Sequence, residues 1–446
     1  MTQYCAKSLP VQRGPAAWNA ILGPQQPASE LDENTSADFV VVGAGFAGLS
    51  AARRITQLQP TANVIVVDAG RIAEGAAGRN SGFMIDLPHD LTSEDYSGTG
   101  DDRKMIDLNR KAIGFARAAV QDYEIDPNFF DETGKVNGAA SEAGEIHNKN
   151  YAQHLKSLRE ESQELDPQQM FELTGSRHYT SGLYTPGTVM LQPAGYVRGL
   201  AAGLVQRGVR IFENSPVTGF ARDGSGWKVH SRQNSITTSN LILTVNGHLE
   251  SFGIARDHLM QLFLFAVMTP ELDNDALSKL GGQPRWGVTP SDPMGTTIRR
   301  IDSGQGGNRI VTRTCAALRP DMAATQGDLA RAASVMQRKF DKRFPQLAGL
   351  QMEFQWAGHL CLSLNGVSVT RKIDDGVYSG CVQNGLGTAR GTLTGIAAAE
   401  LACGHSSDIS DHFSTETAPK RLPPQPFREI GANIVLRWKE WRASEE

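Results

Sequence analysis

The chain has 446 residues, with 44 basic and 48 acidic side chains and a formal net charge of -4. It is too long for one ordinary core, and its charge gives no electrostatic reason to expect nucleic acid or an anionic membrane surface as partner. No stretch approaches about 18 consecutive apolar residues, which argues against a transmembrane helix. The first 18 residues lack the apolar core of a secretory signal. Cys5, Cys315, Cys361, Cys381 and Cys403 are scattered, with no C-x-x-C and no zinc-like spacing, as expected of reduced, packed thiols in a cytoplasmic protein.

Residues 1–35, rich in Pro, Gln and Ala, read as an irregular arm that docks through Trp18, Ile21 and Leu22. A β-branched run at 38–42 then ends in Gly43-x-Gly45-x-x-Gly48 and opens a helical pattern carried by Leu49, Ala52 and Ile55. A second apolar run at 64–67 closes on Asp68, which lies 20 residues after Gly48. Strand, glycines, helix, strand and acid in this order form a dinucleotide-binding unit. Gly43 permits the tight turn, Gly45 lets the backbone approach a pyrophosphate, and Gly48 lets the helix pack on the sheet. Phosphates favour the helix N-terminus, and the Asp68 carboxylate suits ribose hydroxyls.

A Gly-, Ala- and Asn-rich loop follows at 75–82. Helical spacing predicts helices over 101–123 and 142–165, and another from Pro193 towards Gly208. Strands are predicted at 209–217, 227–230, 241–245, 260–268, 296–301 and 309–314, with a helix over 326–340 among them. The tail returns to a strand at 376–380, the turn Asn384-Gly385-Leu386-Gly387-Thr388 and a helix over 391–403. The expected fold is α/β (α+β): a discontinuous, Rossmann-like cofactor domain (36–90, 171–250 and 355–420) and a second, substrate-binding domain on a mixed or antiparallel sheet (91–170 and 251–354). Residues 421–446 form a C-terminal helix. Three glycine-rich elements in one chain favour an extended cofactor over a nicotinamide held by one fingerprint.

The segments GAGFAGLSAARRI, VIVVD, GAAGRNSGF, QPAGYVRGLAAGLVQRGVRIFENSPVTGF, LILTVNG, WAGHLCLSLNGVSV and NGLGTARGTLTGIAAAELACG together resemble the FAD-dependent amine oxidoreductases of the D-amino-acid oxidase, glycine oxidase and sarcosine oxidase superfamily, the γ-glutamylputrescine oxidases most of all. The resemblance spans nearly the whole chain and implies FAD, non-covalently held, since no cysteine aligns with the covalent attachment point of sarcosine oxidase. It places Gly43, Gly45, Phe46, Ala47 and Gly48 at the pyrophosphate, and Asp68 and Ala69 at the adenosine ribose, where relatives usually carry Glu. Arg79, Asn80 and Ser81 fall at the phosphates or the isoalloxazine edge and Val217 at the adenine. Asn246 and Gly247 follow the third strand, and Asn384, Gly385, Leu386, Gly387 and Thr388 fall at the pyrimidine end of the flavin.

The implied reaction is oxidation of a primary or secondary amine, a γ-glutamyl amine or amino-acid derivative, at its C–N bond by hydride transfer, giving an imine that hydrolyses to a carbonyl. Oxygen is the implied acceptor; no lysine clearly matches the one that promotes oxygen reduction in some relatives, and a dehydrogenase using another acceptor stays open. His359 is expected near the flavin, either orienting the amine or packed as a core histidine. Phe83 and Met84 are expected to wall the pocket or to sit in the core. Arg299 and Arg313 are candidate clamps for a substrate anion, while strand alternation is expected to send at least one of Arg299 and Arg300 to solvent. Two further readings are an aromatic-hydroxylase-type flavin monooxygenase, which the sequence CVQNGLG disfavours, and a non-catalytic flavoprotein.

Overall fold

The computed structural model describes residues 3–446 apart from 89, 91, 92, 99 and 293. Two large sheets organise it. In the first, Arg210–Phe212, Val64–Val67, Thr35–Val42, the C-terminal half of Asn234–Leu243 and Val377–Cys381 run parallel. The N-terminal half of Asn234–Leu243 continues into an antiparallel meander with Gly226–Ser231 and Val217–Asp223, to which Gln3–Cys5 adds an edge. The parallel strands are apolar on both faces because both are covered. Val41, Val66 and Ile242 lie under helices Phe46–Leu58, Pro193–Gln206 and Ala389–Cys403. Val40, Ile65 and Leu241 lie in a second cluster with Phe220 and Trp227 of the meander.

The second sheet has eight strands, in the order Phe354–Ser363, Leu259–Met268, Arg309–Leu318, Thr297–Ile301, Trp286–Pro290, Lys135–Ala139, Ser181–Thr185 and Gln163–Leu165. All pairs are antiparallel except Trp286–Pro290 with Lys135–Ala139. One face is covered by helix Gln326–Arg343, which buries Phe263, Phe265 and Val267 with Leu329 and Met336. The other face meets the cofactor unit, where Ala266, Met268, Val311 and Trp356 join the cluster of Trp18, Phe46 and Met84.

Ser181–Thr185 and Phe354–Ser363, which lie in segments expected for the cofactor domain, hydrogen-bond within the eight-stranded sheet. The helix expected to reach 165 stops at Leu158, because Arg159 takes a left-handed conformation (φ 65°), and the remainder becomes the edge strand Gln163–Leu165. The N-terminal arm docks through Trp18, which is fully buried. No helix among the described residues is long and apolar enough to cross a membrane.

Candidate active site

The glycine fingerprint has the geometry its spacing implies. Gly43 adopts φ +104°, which disfavours any side chain. A Cβ on Gly48 would overlap the Gly43 carbonyl and stand 2.7 Å from Thr244 Oγ1. Gly45 caps helix Phe46–Leu58, and a Cβ there would meet only the Ala77 methyl at 3.6 Å. Asp68 accepts from the Ala44 N–H at 2.7 Å and the Gly70 N–H at 2.9 Å. Burial pushes its carboxyl up, and those two N–H groups oppose the shift. Beside it, the Ser215 N–H donates to the Asp68 carbonyl, which brings Val217 to the same corner while Ala69 stays exposed. Phe46 and Ala47 serve the helix crossing: Phe46 stacks on Tyr196 at 6.0 Å, and a Cβ on Gly395 would lie 2.9 Å from Ala47 Cα.

The loop at 75–82 is held by bonds that no local sequence signal shows. The Arg79 guanidinium donates to the carbonyls of Glu74, Arg13, Gly14 and Ala357. These bonds, made by Nε and Nη1, clamp the loop to the N-terminal arm and the second sheet. Asn80 donates to the Ala77 carbonyl at 2.6 Å and accepts from the Gly82 N–H at 2.7 Å. Trp18 and Trp356 donate their indole N–H groups to the Asn80 and Arg79 carbonyls at 2.8 and 3.0 Å. The side chains are spent on rigidity, which leaves the backbone of a pre-organised loop to face a ligand.

The C-terminal turn lies against this loop, since Thr388 Oγ1 donates to the Phe83 carbonyl at 2.7 Å. Asn384 pins the neighbouring strand end, accepting from the Ser363 N–H at 2.8 Å and donating to the Val367 carbonyl at 2.9 Å. Leu386 is half-buried, and open space surrounds the positions a Cβ would take on Gly385 (φ +87°) and Gly387. Asn246, at φ 50°, buries an Oδ1 without a hydrogen-bond partner among the described residues. Gly247 packs against Gln261, its carbonyl accepting from Nε2 at 3.0 Å. An anion-attracting helix end, the open glycines and this unsatisfied oxygen suit an extended dinucleotide.

The second sheet decides which of its residues reach the cleft. Trp356 and Gly358 face the loop: the Trp356 indole bonds Arg79, and a Cβ on Gly358 would lie 3.3 Å from Arg79 Cβ. Alternation therefore turns Ala357, His359 and Cys361 the other way. His359 packs on Phe263 with ring centroids 5.2 Å apart and pairs with Gln261 Oε1 at 2.9 Å, as a core histidine would. Burial, with a smaller effect from His248, holds its pKa down to about 4. Met84 is likewise a core residue, and Phe83 is half-buried over Gly287. Half-buried apolar side chains on this face include Leu264, Leu360 and Leu362, which the linear sequence does not single out.

The two arginine candidates separate. Arg299 donates to the carbonyls of Leu191, Ser81 and Gly82 at 2.6, 3.1 and 3.4 Å and to Gln305 at 3.0 Å. It is a fully buried brace beneath the loop, its pKa lowered to about 9 by burial, and not a free clamp. Arg300 is also buried, donating to the Gly281 carbonyl at 2.5 Å. Neither reaches solvent, because both faces of this strand are covered. Arg313 pairs in register with Thr297 and Ala266, and Ala266 with Trp356, which puts it on the cleft side. Its guanidinium makes no hydrogen bond or ion pair with any described residue, and burial lowers its pKa.

A glycine-fingerprint βαβ unit packed against the inner face of a large, mostly antiparallel sheet is the arrangement of a dinucleotide-binding flavoprotein. Residues 38–401 match the family described as FAD dependent oxidoreductase, and the chain belongs to it: it is an FAD-dependent oxidoreductase and its cofactor is FAD. Among relatives, the probable oxidoreductase OrdL of Haemophilus influenzae is 24% identical over 384 residues, covering 85% of this chain and 86% of that protein. The γ-glutamylputrescine oxidoreductase of Escherichia coli is 23% identical over 429 residues, 90% of each. The glycine oxidase of Geobacillus kaustophilus shares the fold with a TM-score of 0.66 at 15% identity, over 84% of this chain and 96% of that one.

Proposed function

We propose that this protein oxidises the C–N bond of a primary or secondary amine that also carries an anionic group, of the γ-glutamyl-amine or amino-acid-derivative class. The carrying observation is Arg313, a half-buried cation on the inner face of the second sheet whose guanidinium has no hydrogen-bond or ion-pair partner among the described residues. An unpaired, partly desolvated guanidinium is costly, and a substrate carboxylate would complete it with two parallel hydrogen bonds. The γ-glutamylputrescine oxidoreductase and glycine oxidase among its relatives are named for amine and amino-acid substrates.

FAD, when bound, supplies the hydride acceptor, and the resulting imine is hydrolysed by water. The pyrophosphate would lie at Gly43, Gly45 and Gly48, the ribose at Asp68 and the adenine by Val217. The pyrimidine end would lie at Gly385, Gly387 and Thr388, with Asn246 near the dinucleotide. The chain's own contribution is placement. Arg313 fixes the anionic end, while Leu264, Leu360 and Leu362 form an apolar wall that keeps water from the reacting carbon. The loop braced by Arg79, Asn80, Trp18, Trp356 and Arg299 holds the opposite wall still, with Ser81 and Phe83 on its cleft side. Amine oxidation needs a neutral, well-placed amine more than a strong base, so no side chain is assigned as base. Non-covalent attachment is supported by the thiols: Cys361 and Cys381 are fully buried, and burial raises both pKa values. Oxygen is the proposed acceptor.

Anaerobic titration of the yellow protein with a panel of amines and amino acids tests this reading. Bleaching of the oxidised flavin band, near 450 nm, by an anionic amine and rapid return of the colour in air is the expected result. Bleaching only by NADPH would overturn it.

A further inference from the structure

We infer that the outward face of helix Phe427–Arg442 is a docking surface for an anionic lipid bilayer. This helix is inverted relative to an ordinary surface helix, because its polar side faces the protein. Asn433 accepts from the Leu318 N–H at 3.0 Å and Glu440 from the Ala316 N–H at 2.9 Å, capping the strand Arg309–Leu318. Glu440 also pairs with Arg331 at 3.0 Å, and Glu429 with Arg319 at 3.5 Å. The opposite side presents Phe427, Ile430, Ile434, Trp438 and Trp441, which are 72, 58, 63, 51 and 71% exposed. At about 100° per residue these five fall within an arc of roughly 80°, so they form one apolar stripe.

Charge selects the occupant. Both acids of the helix, Glu429 and Glu440, are tied to the protein, as are Arg437, which pairs with Glu440 at 2.8 Å, and Arg428, which lies 3.9 Å from Asp257, while Lys439 and Arg442 stand exposed along one flank of the stripe. Arg442 lies over the Trp438 ring at 5.1 Å. An apolar face with tryptophans, bordered by cations and cleared of anions, is the pattern of a helix lying in a membrane interface, where cations meet lipid phosphates. The chain's net charge of -4 conceals this segregation. A second copy of the chain is the poorer fit. The helix is about 24 Å long and its stripe about 10 Å wide, far below the ~800 Å² per partner of a standard interface. The elements beneath it, Arg309–Leu318 and Gln326–Arg343, carry no exposed large apolar residue to extend it.

The test is flotation of the full-length, FAD-loaded protein with vesicles of phosphatidylcholine alone and of phosphatidylcholine mixed with phosphatidylglycerol. Expected are at least tenfold stronger partition onto the anionic vesicles, weakening with salt, and a blue shift of tryptophan emission. Trp438→Ser/Trp441→Ser should lose at least tenfold in partition while keeping its flavin spectrum. Lys439→Gln/Arg442→Gln, which leaves the apolar stripe intact, should lose about fivefold per cation. Absence of flotation on either vesicle overturns the proposal, as does flotation indifferent to lipid charge and to the paired substitution of Lys439 and Arg442. A wild-type dimer in sedimentation that the tryptophan substitutions dissociate, without vesicle binding, would assign the stripe to a second copy instead.

Discussion

Alanine at Gly48 and at Gly45 should separate the two demands made on the glycine fingerprint. A Cβ on Gly48 would stand 2.9 Å from the Gly43 carbonyl carbon, with its oxygen closer still, and 2.7 Å from Thr244 Oγ1. Ordinary contacts begin near 3.5 Å, and the obstructing atoms belong to a backbone turn and to a hydroxyl that donates to the Val42 carbonyl at 2.8 Å, so the helix must shift from the strand by more than half an ångström. Overpacking commonly costs about 1–3 kcal/mol. Here it acts against main chain in a buried unit, so the upper end applies, reduced by the ~1 kcal/mol that alanine gains over glycine in a helix. Gly48→Ala should therefore lose about 2 kcal/mol of apoprotein stability and bind FAD at least ~100-fold more weakly. Gly45→Ala meets only the Ala77 methyl at 3.6 Å. It should leave apoprotein stability within about 0.5 kcal/mol yet weaken FAD tenfold or more, because its methyl intrudes only when a pyrophosphate is present. Urea unfolding of the flavin-stripped proteins and equilibrium dialysis against FAD read the two effects. Equal destabilisation of both apoproteins, or wild-type FAD affinity in Gly48→Ala, would refute the reasoning.

Arg313→Ala should raise KM for an anionic amine substrate by about 30–1000-fold, the equivalent of roughly 2–4 kcal/mol for a charge-assisted pair, while the loss for a neutral amine stays small; equal losses on both would dismiss the anchor. His359→Gln should keep kcat within about threefold and leave the pH–rate profile unmoved, since the imidazole lies on the far side of the strand. The same histidine should govern acid stability. It is buried with a pKa near 4 in the native state, against an ordinary value near 6.5 in the unfolded chain. Its contribution is therefore fully present above about pH 6.5 and is lost as pH falls towards 4, by about 2 kcal/mol at pH ~5. Urea midpoints should show a shallower decline in His359→Gln than in the wild type, and parallel curves would contradict this. Arg299→Met should lower the melting temperature and loosen flavin, because it strips a donor from the Leu191, Ser81 and Gly82 carbonyls; unchanged thermal unfolding would show that these bonds do not brace the loop.

Most of the cofactor unit was legible because its signals are local. Gly43 to Asp68 encode a turn, a helix start and a strand end within 26 residues, and each glycine is constrained by atoms close to it in the chain or on adjoining strands. The second sheet was legible only in part. Its strands at 260–268, 296–301 and 309–314 were anticipated, but Lys135–Ala139, Ser181–Thr185 and Trp286–Pro290 were not. Short strands carry little period, and their partners lie far off in sequence.

By itself the sequence determined the dinucleotide fold and the identity of the cofactor, since turn chemistry and helix polarity depend on residues within a few positions of each other. Tertiary structure alone decided the rest of the site. Whether Arg79, Arg299 and Arg313 serve the loop or are left open depends on carbonyls supplied by distant segments: Arg13 and Ala357 occupy the first, Leu191 and Ser81 the second, and no described residue the third. Whether His359 or Gly358 faces the 75–82 loop depends on strand register, where a shift of one residue exchanges the two faces of a sheet. No periodicity in the linear chain records which face the cofactor will meet.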